Sequence, residues 1–309
     1  MRIFFLKIYL ILFLNIVPLQ MACSEIFIVA KINEEIITNL DLDFEKRYLV
    51  SLNPNLKKLD NNRITEYAKN SLINERIKSI EIKRRSRIIT NEVLLSKVIA
   101  DIYSSIGISS LNEFKSYLSQ NNIDVERVKE KITIEIAWNN LVVKLFENEI
   151  EINQNLMIKE LEKLKDKKVD NLLLSEIIFT INDKNELKLK YDEIKKSINE
   201  IGFEETARIY SLSDSKKSGG NLGWIYKNQL SKEIKAGISE INIGDFTKPI
   251  ITSGGFLILK LNDVKSETIQ VNKDVQLKKM IEFERERQFT RFSTLFYKRI
   301  YNNAEIDEK

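Results

Sequence analysis

Eight of the nine glycines in this 309-residue chain fall between positions 202 and 255. Three of them, Gly219, Gly220 and Gly223, sit within "SDSKKSGGNLGWI" at 213–225. Glycine permits positive φ and close backbone approach, and it weakens helix interiors. A chain that confines glycine in this way has two textures: long helices on one side and a compact α+β region of tight turns on the other.

The rest of the pattern agrees. "IFIVAKINEEIIT", 26–38, reads as a hairpin about Asn33 and Glu34, with Asp41 or Asn39 capping the helix that follows. Helical spacing of Ile64, Tyr67, Ala68, Ser71, Leu72 and Glu75 runs on towards Arg85, and a further helix at 91–107 stops at Gly107. Ser110 with Glu113 forms a capping box. The long helix after Val125 carries Ile132, Ile136, Val143, Phe146 and Ile150 on one stripe, widened by Trp138 and Leu145, so it must pack against several partners. From about 170 the chain reads strand, helix closed by Gly202, short helix, glycine segment, short helix at 231–241, then strands "FTKPIIT" and "GFLILKLNDV" joined by Ser253, Gly254 and Gly255. Residues 274–300 return to helix with Leu277, Met280, Ile281, Phe289, Phe292, Leu295 and Phe296 along it. One helix cannot bury that stripe alone. It is expected to dock on the N-terminal helices, with "NAEI", 303–306, adding a strand to the first hairpin, so that the α+β unit is an insertion.

The first 24 residues stand apart: Arg2 and Lys7, an apolar run ending near Pro18, then Ala22, Cys23 and Ser24. This describes a secretory signal peptide and an exported protein. The alternatives are an uncleaved anchor, which Lys7 and Asn15 interrupt, and a lipid-modified Cys23, for which Gln20 is poorly suited. The whole chain has 49 basic and 45 acidic residues, +4; without Arg2 and Lys7 the count is 47 against 45, or +2, which offers no electrostatic case for nucleic acid. Cys23 is the only cysteine, so no internal disulfide forms, and hydrophobic residues at 43% supply a core. Histidine is absent, which excludes Ser-His-Asp and Cys-His catalysis and His-rich metal sites.

Segment 171–265 resembles the parvulin-type (PpiC-type) peptidyl-prolyl isomerases, through the loop "YSLSDSKKSGGNLGWI" and the closing strands "IGDFTKPIITSGGFLILKLNDV". "VAKINEEIITNLDLDF" and "SSIGISSLNEFKSYLSQNNIDVERVKEKITIEIAWNNLV" resemble the N-terminal domain of SurA-type periplasmic chaperones. The resemblance implies an α+β multidomain protein. A signal peptide, 1–24, precedes a helical chaperone domain, 25–168; a parvulin domain of FKBP-like superfold, 169–267, is inserted; and a C-terminal helix, 268–309, completes the helical domain. It also implies a periplasmic folding chaperone, expected as a monomer, whose partners are unfolded outer-membrane proteins and proline-containing peptides, with no nucleic acid, cofactor or metal. A membrane-tethered relative resembling PpiD, keeping its N-terminal run, is the alternative.

Rotation about an X-Pro bond crosses a barrier of roughly 18–20 kcal/mol set by amide resonance, and it needs no covalent chemistry. An apolar cup for the proline ring favours the less polarised twisted amide, each ~1.4 kcal/mol of selective stabilisation giving about tenfold in rate. The resemblance places Leu222, Leu230 and Ile234 at this cup; the other reading makes them plain core residues, and Trp224 is read as core. The family's polar groups are two histidines and a Cys or Asp. Their positions correspond here to Glu176, Leu257 and Ser213, none of them kept, with Asp214 one residue away from restoring a carboxylate and Glu176 alternatively a polar anchor for the sheet. Prolyl isomerase activity is therefore an open question, while a proline-binding pocket can persist.

Overall fold

The computed structural model describes residues 25–85, 91–164, 168–181, 183, 185–268 and 273–309. The leader expected at 1–24, with its anchor and lipidation alternatives, lies outside the described residues. Strands β1 (Ile28–Ile32) and β2 (Glu35–Thr38) form the hairpin. Asn33 turns it at φ 50°, a left-handed value that asparagine tolerates. Helices α1 (Asn39–Leu52), α2 (Asn61–Arg85), α3 (Glu92–Ser105), α4 (Leu111–Gln120), α5 (Val125–Phe146) and α6 (Gln154–Leu164) follow. The cap of α1 is Thr38 rather than Asp41 or Asn39. The Thr38 hydroxyl accepts from the Asp41 N–H at 3.3 Å and Asp41 Oδ2 accepts from the Thr38 N–H at 3.0 Å, so Asp41 is the distal half of a capping box.

The α5 helix serves two cores. Val128, Ile132 and Ile136 pack with Phe44 and Tyr48 of α1, Leu95 and Ile99 of α3, and Phe114 and Leu118 of α4. Trp138, Leu141 and Val142 face α2 and the hairpin. The expected Val143 is instead 37% exposed, because turning the lower half of α5 towards a second partner moves its buried face onto Val142.

That second partner includes α10 (Lys273–Asn302), which follows the inserted unit. Phe296 and Tyr297 are buried against α5, α2 and β1. Phe296 stacks on Trp138 at 5.2 Å, Phe292 on Phe146 at 4.9 Å, and the Trp138 indole N–H donates to Ser293 Oγ at 3.0 Å. Leu295, expected on the buried stripe, is 42% exposed on the far side of these contacts. Strand β7 (Ile306–Glu308) then pairs antiparallel with β1, giving the sheet order β2-β1-β7. Asn33 seals the junction: its N–H donates to the Glu305 carbonyl at 2.9 Å and its side chain accepts from the Glu305 N–H at 3.0 Å.

The inserted unit contains β3 (Lys168–Phe179), α7 (Glu186–Ile201), α8 (Phe203–Tyr210), β4 (Asn221–Tyr226), α9 (Lys232–Ser239), β5 (Ile250–Thr252) and β6 (Gly255–Thr268), in an antiparallel sheet ordered β4-β3-β6-β5. Its entry and exit strands are neighbours, Lys168 paired with Thr268, as an insertion requires. Period-two alternation sends Ile177, Phe179 and Ile258 to α7 and α8, and Leu172, Leu174, Leu257, Leu259 and Leu261 to the opposite face with Ile238 of α9. The strand expected over 246–252 is shorter. Only Ile250–Thr252 joins the ladder and Phe246 makes an isolated bridge, because Pro249 between them has no N–H to donate.

The unit rests on the helical body at several points. Arg63 of α2 pairs with Glu200 of α7, and the Tyr67 and Tyr210 hydroxyls lie 2.8 Å apart. Ile201 packs with Leu56, Leu59 and Tyr67. Lys298 of α10 donates to the Ile181 carbonyl at 2.9 Å.

Candidate functional site

The glycine segment shapes one side of a cleft. Gly220 has φ +80°, and a Cβ there would lie 2.3 Å from the Glu176 carbonyl oxygen, so no other residue fits. The Gly220 carbonyl in turn accepts from the Glu176 N–H at 2.8 Å, fixing β3 beside the loop. Gly219 ends the 3-10 turn Asp214–Ser218. Gly223, at φ +71°, accompanies a bulge that leaves Leu222 as an extra residue between the pairs Leu174–Gly223 and Ser175–Asn221. The bulge breaks the alternation. Leu222 therefore joins the same apolar cluster as Ile225, while Trp224 faces outward. Trp224, expected in the core, is 40% exposed, with Lys265 Nζ 4.5 Å from its ring centroid.

Leu222, Leu230, Ile234, Leu257, Glu176, Ser213 and Asp214 all line one cavity of about 990 Å³. Leu230 and Leu257 are buried within the apolar cluster, and Leu222 and Ile234 are half-buried against it. Glu176 lies on the same sheet face. Its Oε1 accepts from the Ser213 hydroxyl at 2.5 Å and from the Ser215 hydroxyl at 2.9 Å, and the two hydroxyls are 3.0 Å apart. The inward position thus belongs to Ser213, while Asp214 is exposed at the rim, 3.8 Å from Lys217. Two contributors were not anticipated. Ser215 had a signal in the alternation Ser211, Ser213, Ser215. Phe283, from the distant α10, packs on the apolar cluster and had none.

Burial raises the Glu176 carboxyl above its usual value, and the two serine hydroxyls oppose this by stabilising the anion. A carboxyl with a raised folded-state pKa contributes stability that is complete below its unfolded value and fades as pH rises through the folded one. Glu176→Gln keeps the acceptor for both serines and removes the buried charge. Its melting temperature should therefore gain on the native chain between about pH 4 and pH 8. Melting curves at both ends of that range check this; an offset independent of pH would contradict it. Beside this turn, the Lys78 ammonium of α2 and burial push the Lys216 ammonium down to about 8, opposed by Glu135 of α5 and Asp214.

Among the described residues no group of three or more His, Cys, Asp or Glu is arranged to hold a metal. What the site offers is a solvent-reaching apolar hollow with a carboxyl–hydroxyl cluster at one side. Its chemistry is that of binding an uncharged ring or apolar side chain next to a polar backbone.

The PPIC-type PPIase domain family, the rotamases, matches residues 172–263. The chain is 23% identical over 264 residues to the Chaperone SurA of Pseudomonas aeruginosa, covering 79% of this chain and 61% of that one. It therefore spans about three fifths of the length of the curated relatives it resembles along most of its own length. Over 89 residues it is 27% identical to the Periplasmic chaperone PpiD of Haemophilus influenzae, covering 28% of this chain and 14% of that one. Among solved structures, one from the Campylobacter jejuni pair of SurA-like chaperones that includes the virulence factor PEB4 aligns with TM-score 0.36 and 14% identity, covering 91% of this chain and 98% of that one. Residues 172–263 therefore match the PpiC-type, parvulin domain, and along most of its length the chain is similar to SurA chaperones.

Proposed function

We propose that this chain is a periplasmic folding chaperone that holds unfolded outer-membrane proteins in transit, and that its parvulin domain binds proline-bearing segments with little isomerase catalysis. The proposed division is 25–168 and 268–309 for the helical chaperone body and 169–267 for the parvulin domain, with 1–24 as the cleaved leader. The observation that carries the reading is the open hollow lined by Leu222, Leu230, Ile234 and Leu257. Leu230 and Leu257 form its buried floor, while Leu222 and Ile234 stay half-buried, where a core reading would have all four enclosed. Glu176, Ser213 and Leu257 hold the positions of the family's polar groups, and only Glu176 and Ser213 bring polar atoms there. The hydroxyl of Ser213 is committed to Glu176. Such a site can cradle a proline but has few groups to steer the rotating carbonyl. Unfolded barrel strands alternate apolar and polar side chains, and reversible contact with an apolar surface suits them.

A protease-coupled proline isomerisation assay, run beside suppression of aggregation of an unfolded β-barrel protein, tests this. The expected result is suppression with an isomerisation rate within about tenfold of the uncatalysed one, about 1.4 kcal/mol of barrier. Fast isomerisation lost on changing Leu222 and Leu230 to charged residues would instead establish a working enzyme; no suppression at all would overturn the chaperone reading. The short match to PpiD motivates the tethered alternative. Sequencing the mature N-terminus decides it: a start between Cys23 and Glu25 removes the tether. No helix among the described residues is long and apolar enough to cross a membrane.

A further inference from the structure

The cavity beside the parvulin sheet has a second wall made by the helical body. Phe283, Phe289 and Phe292 of α10, and Val142 and Val143 of α5, line it together with Leu222, Leu230 and Ile234, Phe283 reaching across to pack on their cluster. The wall is fastened in place. Gln288 of α10 accepts from the Glu151 N–H at 3.0 Å and donates to the Glu151 carbonyl at 2.8 Å, tying the segment after α5 to α10. At about 990 Å³ the space exceeds what one proline ring fills and suits several residues of extended chain.

The charges around it are one-sided. Six acidic residues line the cavity, Glu149, Glu151, Glu176, Asp214, Glu284 and Glu286, against two arginines, Arg287 and Arg291. Arg287 is already paired with Glu284 through two bonds of 2.9 and 2.8 Å. Burial draws Glu176 towards its neutral form. What remains along the cleft is Glu149, Glu151, Asp214 and Glu286 against Arg291, with Lys217 3.8 Å from Asp214. The chain as a whole is close to balanced, 49 bases to 45 acids, so the acidity is a property of this cleft.

We propose that the cleft between the parvulin sheet and α10 is a single two-walled docking site for an extended proline-bearing segment whose neighbouring side chains are basic rather than acidic. This rests on the reading of the hollow as proline-accepting and names the sequence class it takes. Apolar contact on both walls supplies most of the affinity. The acidic rim acts on the residues flanking the proline, attracting Lys or Arg and repelling Asp, Glu or a phosphorylated serine.

The test uses the full chain and fluorescence anisotropy with three labelled peptides, identical except for Arg, Gln or Glu before the residue preceding proline. At low ionic strength the Arg peptide should bind about three- to tenfold more tightly than the Glu peptide, with Gln between, and the gap should shrink in about 0.5 M salt. The double variant Asp214→Lys, Glu286→Lys, both at exposed positions, should abolish or reverse the order. Phe283→Ala should weaken all three peptides alike, with circular dichroism confirming the fold. Leu222→Glu should remove binding of every peptide. Measurable binding with a flat charge series would overturn the basic preference and leave the proline-accepting hollow standing, as would a gap indifferent to the double variant. Unchanged affinity in Phe283→Ala would remove α10 from the site and overturn the two-walled cleft. Binding of none of the three peptides would overturn the hollow itself.

Discussion

Phe296→Ala should cost the folded chain about 3–5 kcal/mol, the range for removing a fully buried aromatic ring. Phe296 is 3% exposed. It stacks on Trp138, meets Phe146 edge-on at 5.8 Å, and has Arg85 and Arg299 over its faces at 5.4 and 5.3 Å. Few neighbours can move in, because α2, α5 and α10 each contribute to the same cluster and are fixed elsewhere. The cost falls on the helical body rather than on α10 alone, since the ring belongs to the core shared with β1 and α5. Urea unfolding gives the free energy. The chain has two tryptophans, Trp138 buried and Trp224 exposed, so a red shift of the buried component reports loss of α10 docking separately from the inserted unit. A cost below about 1 kcal/mol, the scale of a fraying terminus, would show that the N-terminal helices stand without α10.

Much of this architecture is written locally. Asn33 at the hairpin, the Ser110 cap, Gly202 after α7 and the confined glycines all act through the few residues beside them, and each is found where its chemistry demands. The misplacements arise where a choice depends on a distant partner. Thr38, Asn39 and Asp41 can all cap a helix, and the box Thr38 forms with Asp41 decides among them. Val143 and Leu295 satisfy helical spacing, yet the contact between α5 and α10 selects the adjacent residues Val142 and Phe296.

The same division holds at the site. Leu222, Leu230, Ile234, Glu176 and Ser213 all come from the inserted unit, and their grouping follows from one sheet face, the glycine loop, and α9 with the turn before it. Trp224 went astray because a bulge at its neighbour reverses the side it faces, and periodicity alone carries no mark of a bulge. Phe283 lies on an amphipathic helix whose spacing says only that some face is covered. That the cover includes the parvulin hollow depends on how the inserted unit is carried over the helical body, through contacts such as Arg63 with Glu200 and Lys298 with the Ile181 carbonyl.

The other wall of the cleft depends on α5 being held against α1 and α2, and Lys131 is one of the charged residues that tie it there, beside the pairs Lys78–Glu135 and Arg127–Asp41. Its ammonium lies 2.7 Å from Glu45 Oε2 of α1 and also pairs with Glu75 of α2, while the Ser71 hydroxyl donates to Glu45 Oε1 at 2.6 Å. Glu45 is fully buried. Lys131→Met fills the same space but leaves two carboxylates facing each other without a cation, and should cost about 3–5 kcal/mol. The sign with pH is definite. Burial works against the charged ammonium, but Glu45 and Glu75 outweigh it and hold Lys131 above its usual value. Its contribution is therefore complete below the unfolded lysine value and lost only as pH rises through the higher folded one. The native chain should hold this stability across neutral and mildly alkaline pH. Adding Glu45→Gln and Glu75→Gln to Lys131→Met should restore most of the loss at neutral pH, because a network replaced whole is far less costly than one with a partner removed. Urea titrations of the single and triple variants at two pH values measure this. A single-variant cost under about 1 kcal/mol, or a triple variant no better than the single, would mean that α5 is held by its apolar faces alone.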